Sequence, residues 1–329
     1  MKGLITMPKK SKYTQTMWSW ILIPLFIIIL VSAIYVAIML ATAQKTVSNS
    51  YQEVERSTKV VVNPIEEPTS FLIMGIDNNE SRQLPNTRAD ALIYVVINPQ
   101  TSELNMVSIP RDTLTDIYSH GQIIGENRVN FAYQEGEEQA TIETVENLLD
   151  VPIHYYITLN FDAFIDVVDA IGGVEMYVPI TFSEKNTHNN PNPLKLVEGT
   201  QELTGEQTLA LARTRKIDND VKRGERQQLI IEAILKKMAR LDSVPNYTKV
   251  IEAAGKNIKT DLTFNEIVSV SKVALSEDLS ISTHTFAWYP IEVYGASMLQ
   301  IEPDSLGDIQ AILKESLEIR GTQDSSSSE

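Results

Sequence analysis

Apolar and polar residues alternate along this chain on several distinct periods, and each period predicts a different element. From Trp18 to Ala41 no Asp, Glu, Lys or Arg occurs. A helix over that stretch is long enough to cross a hydrocarbon core of about 30 Å, which takes ~20 residues. Residues 42–69 are polar, lack a clear apolar period and end in Asn63-Pro64 and Glu67-Pro68, which reads as a stalk, helical next to the membrane. Phe71 to Ile76 is a short apolar run that delivers Asp77 at its end, the pattern of a buried strand. Ala91–Asn98 and Glu103–Ile109 flank an Asn-Pro-Gln turn and predict an antiparallel hairpin.

Beyond the hairpin, helical and strand periods interleave. Glu137–Leu149 and Asp162–Ile171 read as helices, the second stopped by Gly172-Gly173. Tyr155–Leu159, Val174–Val178 and Ile281–Trp288 read as strands. Thr204 and Gln207 are spaced as a capping box opening a helix, and Gly224–Leu241 predicts a longer one. The mixed order predicts an α/β domain over residues 70–320, with a central mixed sheet covered by helices on both faces and a single membrane helix before it. Residues 242–320 read as the completing helices and a strand of that domain, and 321–329 as a disordered tail.

Composition narrows the class. A formal charge of -15 argues against a nucleic-acid binder, which needs clustered Lys and Arg. Cys is absent, so there is neither a disulfide framework nor a thiolate metal site. The apolar run exceeds the ~7–15 residues of a cleavable signal's core, which favours an uncleaved anchor. Lys9, Lys10 and Lys12 precede it, giving a small bias toward a cytoplasmic tail (1–17) and an extracytoplasmic domain.

The chemistry lies in the arginines. Of eleven, seven (88, 111, 128, 213, 215, 223 and 226) fall in three short polar regions beside predicted element ends. Singly, each suits an ordinary surface ion pair; together they suit an anion site, because guanidinium pairs bidentately with phosphate oxygens. Asp77 and Asp90 supply two carboxylates, enough for a magnesium ion that takes its other ligands from water and phosphate. A helix N-terminus near Gly224 would add free N–H groups.

In order, Gly75-Ile76-Asp77, Thr87-Arg88-Ala89-Asp90, Ser108-Ile109-Pro110-Arg111-Asp112, Arg128-Val129-Asn130-Phe131-Ala132-Tyr133, Leu211-Ala212-Arg213-Thr214-Arg215 and Asp220 through Arg223 to Gln228 resemble the motifs of the LytR-CpsA-Psr family of cell-envelope proteins. The resemblance spans about residues 70–240. It implies a phosphotransferase that moves an anionic glycopolymer, such as wall teichoic acid or capsule, from a polyprenyl-pyrophosphate carrier to peptidoglycan. It further implies that Asp77 and Asp90 hold Mg2+ (or Mn2+), and that Arg88, Arg111, Arg128, Arg213, Arg215, Arg223 and Gln227 bind the pyrophosphate. Arg111, Asp112, Arg215 and Arg223 would carry catalysis, with Asp112 or Asp90 taking the acceptor's proton. The implied location is the membrane of a Gram-positive bacterium. Two departures stand out: Lys222 occupies a position that is often Gly, with Gly224 after Arg223, and Ala89 stands where Ser or Thr is common.

Other classes fit part of the pattern: a hydrolase that releases the polymer, a non-catalytic binding protein, or a transcriptional attenuator. The last would need a cytoplasmic basic module, and the residues before Trp18 are too few to fold one.

Overall fold

The computed structural model describes residues 32–56, 62–78, 87–186, 193–214, 216–217, 220–240, 244–255, 257–293 and 295–319. The predicted membrane segment therefore lies mostly outside the described residues, as does the predicted tail, and no described helix is long and apolar enough to cross a membrane.

The first described helix, α1, covers residues 32–50. Six strands form the central sheet: β1 (Thr69–Ile76), β2 (Ala89–Asn98), β3 (Glu103–Ile109), β6 (Tyr155–Asn160), β11 (Ile258–Thr260) and β12 (Ser280–Thr285), in the order β11-β6-β1-β2-β3-β12. β6 is parallel to β1 and β12 to β3, whereas β2 and β11 run the other way. The C-terminal ends of β6, β1, β3 and β12 and the start of β2 thus lie along one edge.

The sheet buries both faces. Leu72, Met74, Leu92, Tyr94 and Val96 meet α2 (Phe131–Leu149) and α8 (Pro303–Ser316). Their alternates Phe71, Ile93, Val95 and Ile97 meet Ile231 and Leu235 of α5 (Asp220–Ala239) and Ile267 of α7 (Phe264–Ala274). A strand buried on both faces reads as a continuous apolar run, as β1 and β2 do. A second core joins α3 (Phe161–Ala170), α4 (Gly205–Arg213), α5, α6 (Val244–Ala254) and the pair β7 (Val174–Val178) with β10 (Gly199–Leu203). β7 therefore stands outside the central sheet. The α4 capping box is present, and Gly172 and Gly173 take φ values of +81° and +86° that stop α3.

Several segments differ from the sequence reading. The region between Asp112 and Arg128 forms a hairpin, β4 (Leu114–Ser119) and β5 (Gln122–Arg128). Its turn holds His120 and Gly121 at φ +51° and +73°, the type I′ geometry that matches strand twist. The helix expected from Glu137 begins at Phe131 and breaks at Gly136 and Glu137. α5 begins at Asp220, a turn before Gly224. Beyond β12 the chain adds a further hairpin, β13 (Trp288–Val293) and β14 (Ala296–Ile301). Two short strands, β8 (Phe182–Glu184) and β9 (Leu194–Leu196), complete the described elements.

The largest difference is the stalk. Ala43 and Val47 are buried, Tyr51 bridges Thr260, and the Gln52 N–H donates to the Thr260 carbonyl at 2.8 Å. The Arg56 guanidinium, with the side chain 2% exposed, pairs with buried Asp261 and donates to the Ile153 carbonyl at 2.5 Å. Residues 43–56 thus dock on the domain through apolar contacts and a buried ion pair.

Near that ion pair, His154 Nδ1 accepts from the Ser70 N–H at 3.0 Å. Burial, aided by the Arg56 charge, lowers its pKa from 6.5 to about 4. The folded state keeps His154 neutral while the unfolded chain protonates it, so stability is lost as pH falls from 6.5 toward about 4. Replacing His154 with Gln should flatten that loss, read by urea unfolding at stepped pH.

Candidate functional site

Strand direction assembles the site. Asp77 follows β1, Arg88 precedes β2, and Pro110-Arg111-Asp112 follows β3, all on the edge where the parallel strands end. Such an edge is where α/β sheets bind ligands. The β1–β2 register pairs Gly75 with Ala91 and Ile76 with Ala89. Asp90 is the extra residue, a bulge that lets its side chain leave the ordinary alternation. One step further along this register sets Asp77 across from Arg88, and the Asn78 amide donates to the Thr87 hydroxyl there.

A turn closed by the Thr113 N–H on the Pro110 carbonyl, at 3.0 Å, presents Arg111 and Asp112 as its central residues. Arg111 Nη1 donates to Asp90 Oδ1 at 2.7 Å, and Arg111 Nε lies 3.4 Å from Asp112 Oδ2. On its other side, Asp112 Oδ1 lies 3.3 Å from Arg128 Nε. The four side chains form a chain of alternating charge, each 20–39% exposed. Arg128 enters this chain because β5 pairs with β4 directly after the turn. The Ser297 carbonyl accepts from Arg128 Nη2 at 2.9 Å. Arg88 Nε donates to Gln134 at 3.1 Å, and its guanidinium carbon stands 5.7 Å from the Phe131 ring centre. Gln134, Phe131 and Ser297 were not singled out in the sequence; Phe131 belongs to the Arg128–Tyr133 motif, whereas Ser297 offers only a backbone carbonyl and leaves no side-chain signal.

The third arginine region divides. Gly224 is the point of closest approach: a Cβ there would sit 2.5 Å from Ser108 Oγ and 3.2 Å from Ser108 Cβ. The first turn of α5 therefore lies against the end of β3, and Arg223, 7% exposed, is carried to that edge from within the helix rather than from a loop before it. The position of Gly224 after Arg223 has its physical reason in this approach. Arg213 ends α4 and stands 5.8 Å from the ring centre of Phe161, the residue after β6. Arg226 is buried and donates to the Leu211 and Thr214 carbonyls at 2.8 and 2.9 Å, satisfying the end of α4. Gln227 donates to the Ala212 carbonyl at 3.4 Å. Arg215 lies outside the described residues. Six arginine or aspartate positions (Asp77, Arg88, Asp90, Arg111, Asp112, Arg128) thus share one edge, with Arg223 beside them and Arg213 at the neighbouring strand end.

A sequence model described as the LytR_cpsA_psr family matches residues 36–315. The chain belongs to the LytR_cpsA_psr family. Within it, the Bacillus subtilis (strain 168) polyisoprenyl-teichoic acid–peptidoglycan teichoic acid transferase TagU is 32% identical over 316 residues, covering 94% of this chain and 99% of that protein. A Staphylococcus aureus relative is 33% identical over 267 residues, 78% of this chain and 65% of that one. Among solved structures, TagT bound to LIIa-WTA matches with a TM-score of 0.66 and 29% identity, over 82% of this chain and 97% of that chain. The mixed sheet flanked by helices is the fold of these family structures.

Gly224→Ala should destabilise the domain by about 1–3 kcal/mol through overpacking against Ser108. Ser108→Ala in the same chain should recover part of the loss by removing the nearer atom. Thermal unfolding of the single and double variants checks both.

Proposed function

We propose that this protein is a membrane-anchored phosphotransferase that moves an anionic glycopolymer, a teichoic acid first among them, from a polyprenyl-pyrophosphate carrier to peptidoglycan. The observation that carries this reading is the convergence of Arg88, Asp90, Arg111, Asp112 and Arg128 on one sheet edge, with Arg223 beside them. Membership of a family whose relatives are named as teichoic acid transferases supports it. The uncharged run 18–41 supports the anchor, and Lys9, Lys10 and Lys12 before it support an extracytoplasmic domain.

In this reaction the acceptor hydroxyl attacks the phosphorus bonded to the glycan. The bond from that phosphorus to the bridging oxygen breaks, polyprenyl phosphate leaves, and a phosphodiester forms. The protein's work is positioning and charge stabilisation. Arg88, Arg111, Arg128 and Arg223 supply guanidinium donors that gain strength as charge builds on the leaving phosphate. Asp112, between Arg111 and Arg128, holds the two at fixed spacing. Asp90 or Asp112 takes the proton of the hydroxyl.

Asp77 and Asp90 would suit a divalent cation that takes its remaining ligands from phosphate and water. Among the described residues no group of three or more His, Cys, Asp or Glu could hold a metal by itself. Asp90 is bound to Arg111 on one oxygen, and Asp77 stands at the neighbouring strand end. Two carboxylates with phosphate and water oxygens make the usual Mg2+ environment. Asp77 and Asp90 would hold the ion, which would neutralise pyrophosphate charge.

Arg111→Ala should abolish transfer from a lipid-linked donor to peptidoglycan while leaving thermal unfolding near that of the parent. Near-normal polymer attachment by this variant would remove Arg111 from the machinery. Release of free polymer at equal rates with and without the acceptor would show hydrolysis instead of transfer.

A further inference from the structure

α2 is broken after its first turn, and the break is strained. Gly136 lies at φ −163° and ψ 30°, and Glu137 at φ +48° and ψ −131°. Residues with a side chain rarely adopt the second conformation, and one that does is held there by its surroundings. The two residues distort the helical ladder that would otherwise tie residues 131–135 to the rest of α2. That first turn bears on the site. Phe131 and Gln134, three apart on one face, both meet Arg88: its guanidinium carbon stands 5.7 Å from the Phe131 ring centre, and its Nε donates to Gln134 Oε1 at 3.1 Å. The place of Arg88 therefore depends on where the first turn sits.

One carboxylate spans the break. Glu138 follows it, with its side chain 2% exposed, and its Oε1 accepts from the hydroxyl of Tyr133, on the turn before the break, at 2.9 Å. On a regular helix two residues five apart lie about 140° round the axis and could not meet, so the break is what brings this pair together. Burial, and then the facing Glu138 charge, raise the Tyr133 pKa, so the phenol keeps its proton and donates. The countercharge comes from another element. Lys259 of β11, opposite Thr158 of β6, brings its Nζ to 3.4 Å from the same Glu138 oxygen and donates to Glu137 Oε2 at 3.2 Å. Burial opposes the Lys259 charge, but the two carboxylates outweigh it and raise its pKa. A buried carboxylate is costly unless it has both a cation and a hydrogen bond, and Glu138 has one of each.

We infer that Glu138 and Lys259 are positioning residues for Arg88. Lys259 holds the Glu138 carboxylate at the break, and Glu138 holds Tyr133. The first turn, so fixed, presents Phe131 and Gln134 to the guanidinium. This rests on the reading of Arg88 as an anion ligand given above. It assigns a task to the strained break, which a pair serving stability alone would not need.

Nuclear magnetic resonance of the full chain, labelled with nitrogen-15 in detergent micelles, reads the Arg88 Nε–H directly, its signal assigned by loss in Arg88→Ala. Lys259→Met and Tyr133→Phe should each shift and broaden that signal while leaving the Nε–H of Arg226, bonded to the Leu211 carbonyl, in place. Lys259→Arg should restore it. By calorimetry, affinity for inorganic pyrophosphate should fall several-fold in Lys259→Met and in Tyr133→Phe, and no further when either change is added to Arg88→Ala. An Arg88 signal unmoved in both variants, or the same fold loss with and without Arg88, overturns the inference. Should Lys259→Met fail to fold, Tyr133→Phe, which keeps the ion pair, decides by the same two readings. A parent chain that binds no pyrophosphate removes the anion-site reading, and the Arg88 signal then decides the positioning by itself.

Discussion

The direction of four strands is the constraint on which this structure depends. β6, β1, β3 and β12 point the same way, so the polar residues that follow them arrive at one edge. β2 runs against them and begins where they end, which places Arg88 and Asp90 opposite the end of β1. A shift of one residue in the β1–β2 register would exchange the faces of Leu92, Tyr94 and Val96, all buried against α2 and α8. Core packing thereby fixes the site, and the bulge at Asp90 is the local exception that the packing tolerates.

The charged chain from Asp90 through Arg111 and Asp112 to Arg128 is organised by the same logic. Each guanidinium is held by a carboxylate, so the arginines stand ordered in an acidic protein. A pyrophosphate bound as proposed would meet donors already in place, which would limit the cost of ordering long side chains on binding. Arg226 shows the contrast: it lies three residues from Arg223, yet it is spent on the α4 carbonyls and serves the fold.

Much of this was legible beforehand, and the exceptions have physical causes. The runs Phe71–Ile76 and Ala91–Asn98 read as strands because both faces are buried. The Thr204 cap and the Gly172-Gly173 stop read correctly because their chemistry is local. The β4–β5 hairpin was missed because most of β5 is exposed and carries no apolar alternation; His120-Gly121 was its one sign. The helix next to the membrane segment was legible, but the docking of residues 43–56 was not, because its buried stripe is narrow, Ala43 and Val47, and its anchor is a single Arg56–Asp261 pair. The site arginines could be named from motif order, but which of them face a ligand depends on tertiary approach, as Gly224 against Ser108 illustrates. Ser297 contributes through its backbone, which no residue type announces.

In the proposed reaction this sheet edge is the pyrophosphate site. The most direct measurement is a crystal structure of the domain with a polyprenyl-pyrophosphate analogue and Mn2+, located by anomalous scattering. The metal peak should lie between Asp77 and Asp90, with the two phosphates within reach of Arg88, Arg111 and Arg223. A pyrophosphate bound elsewhere, with Arg111 still closed on Asp90, would contradict that assignment.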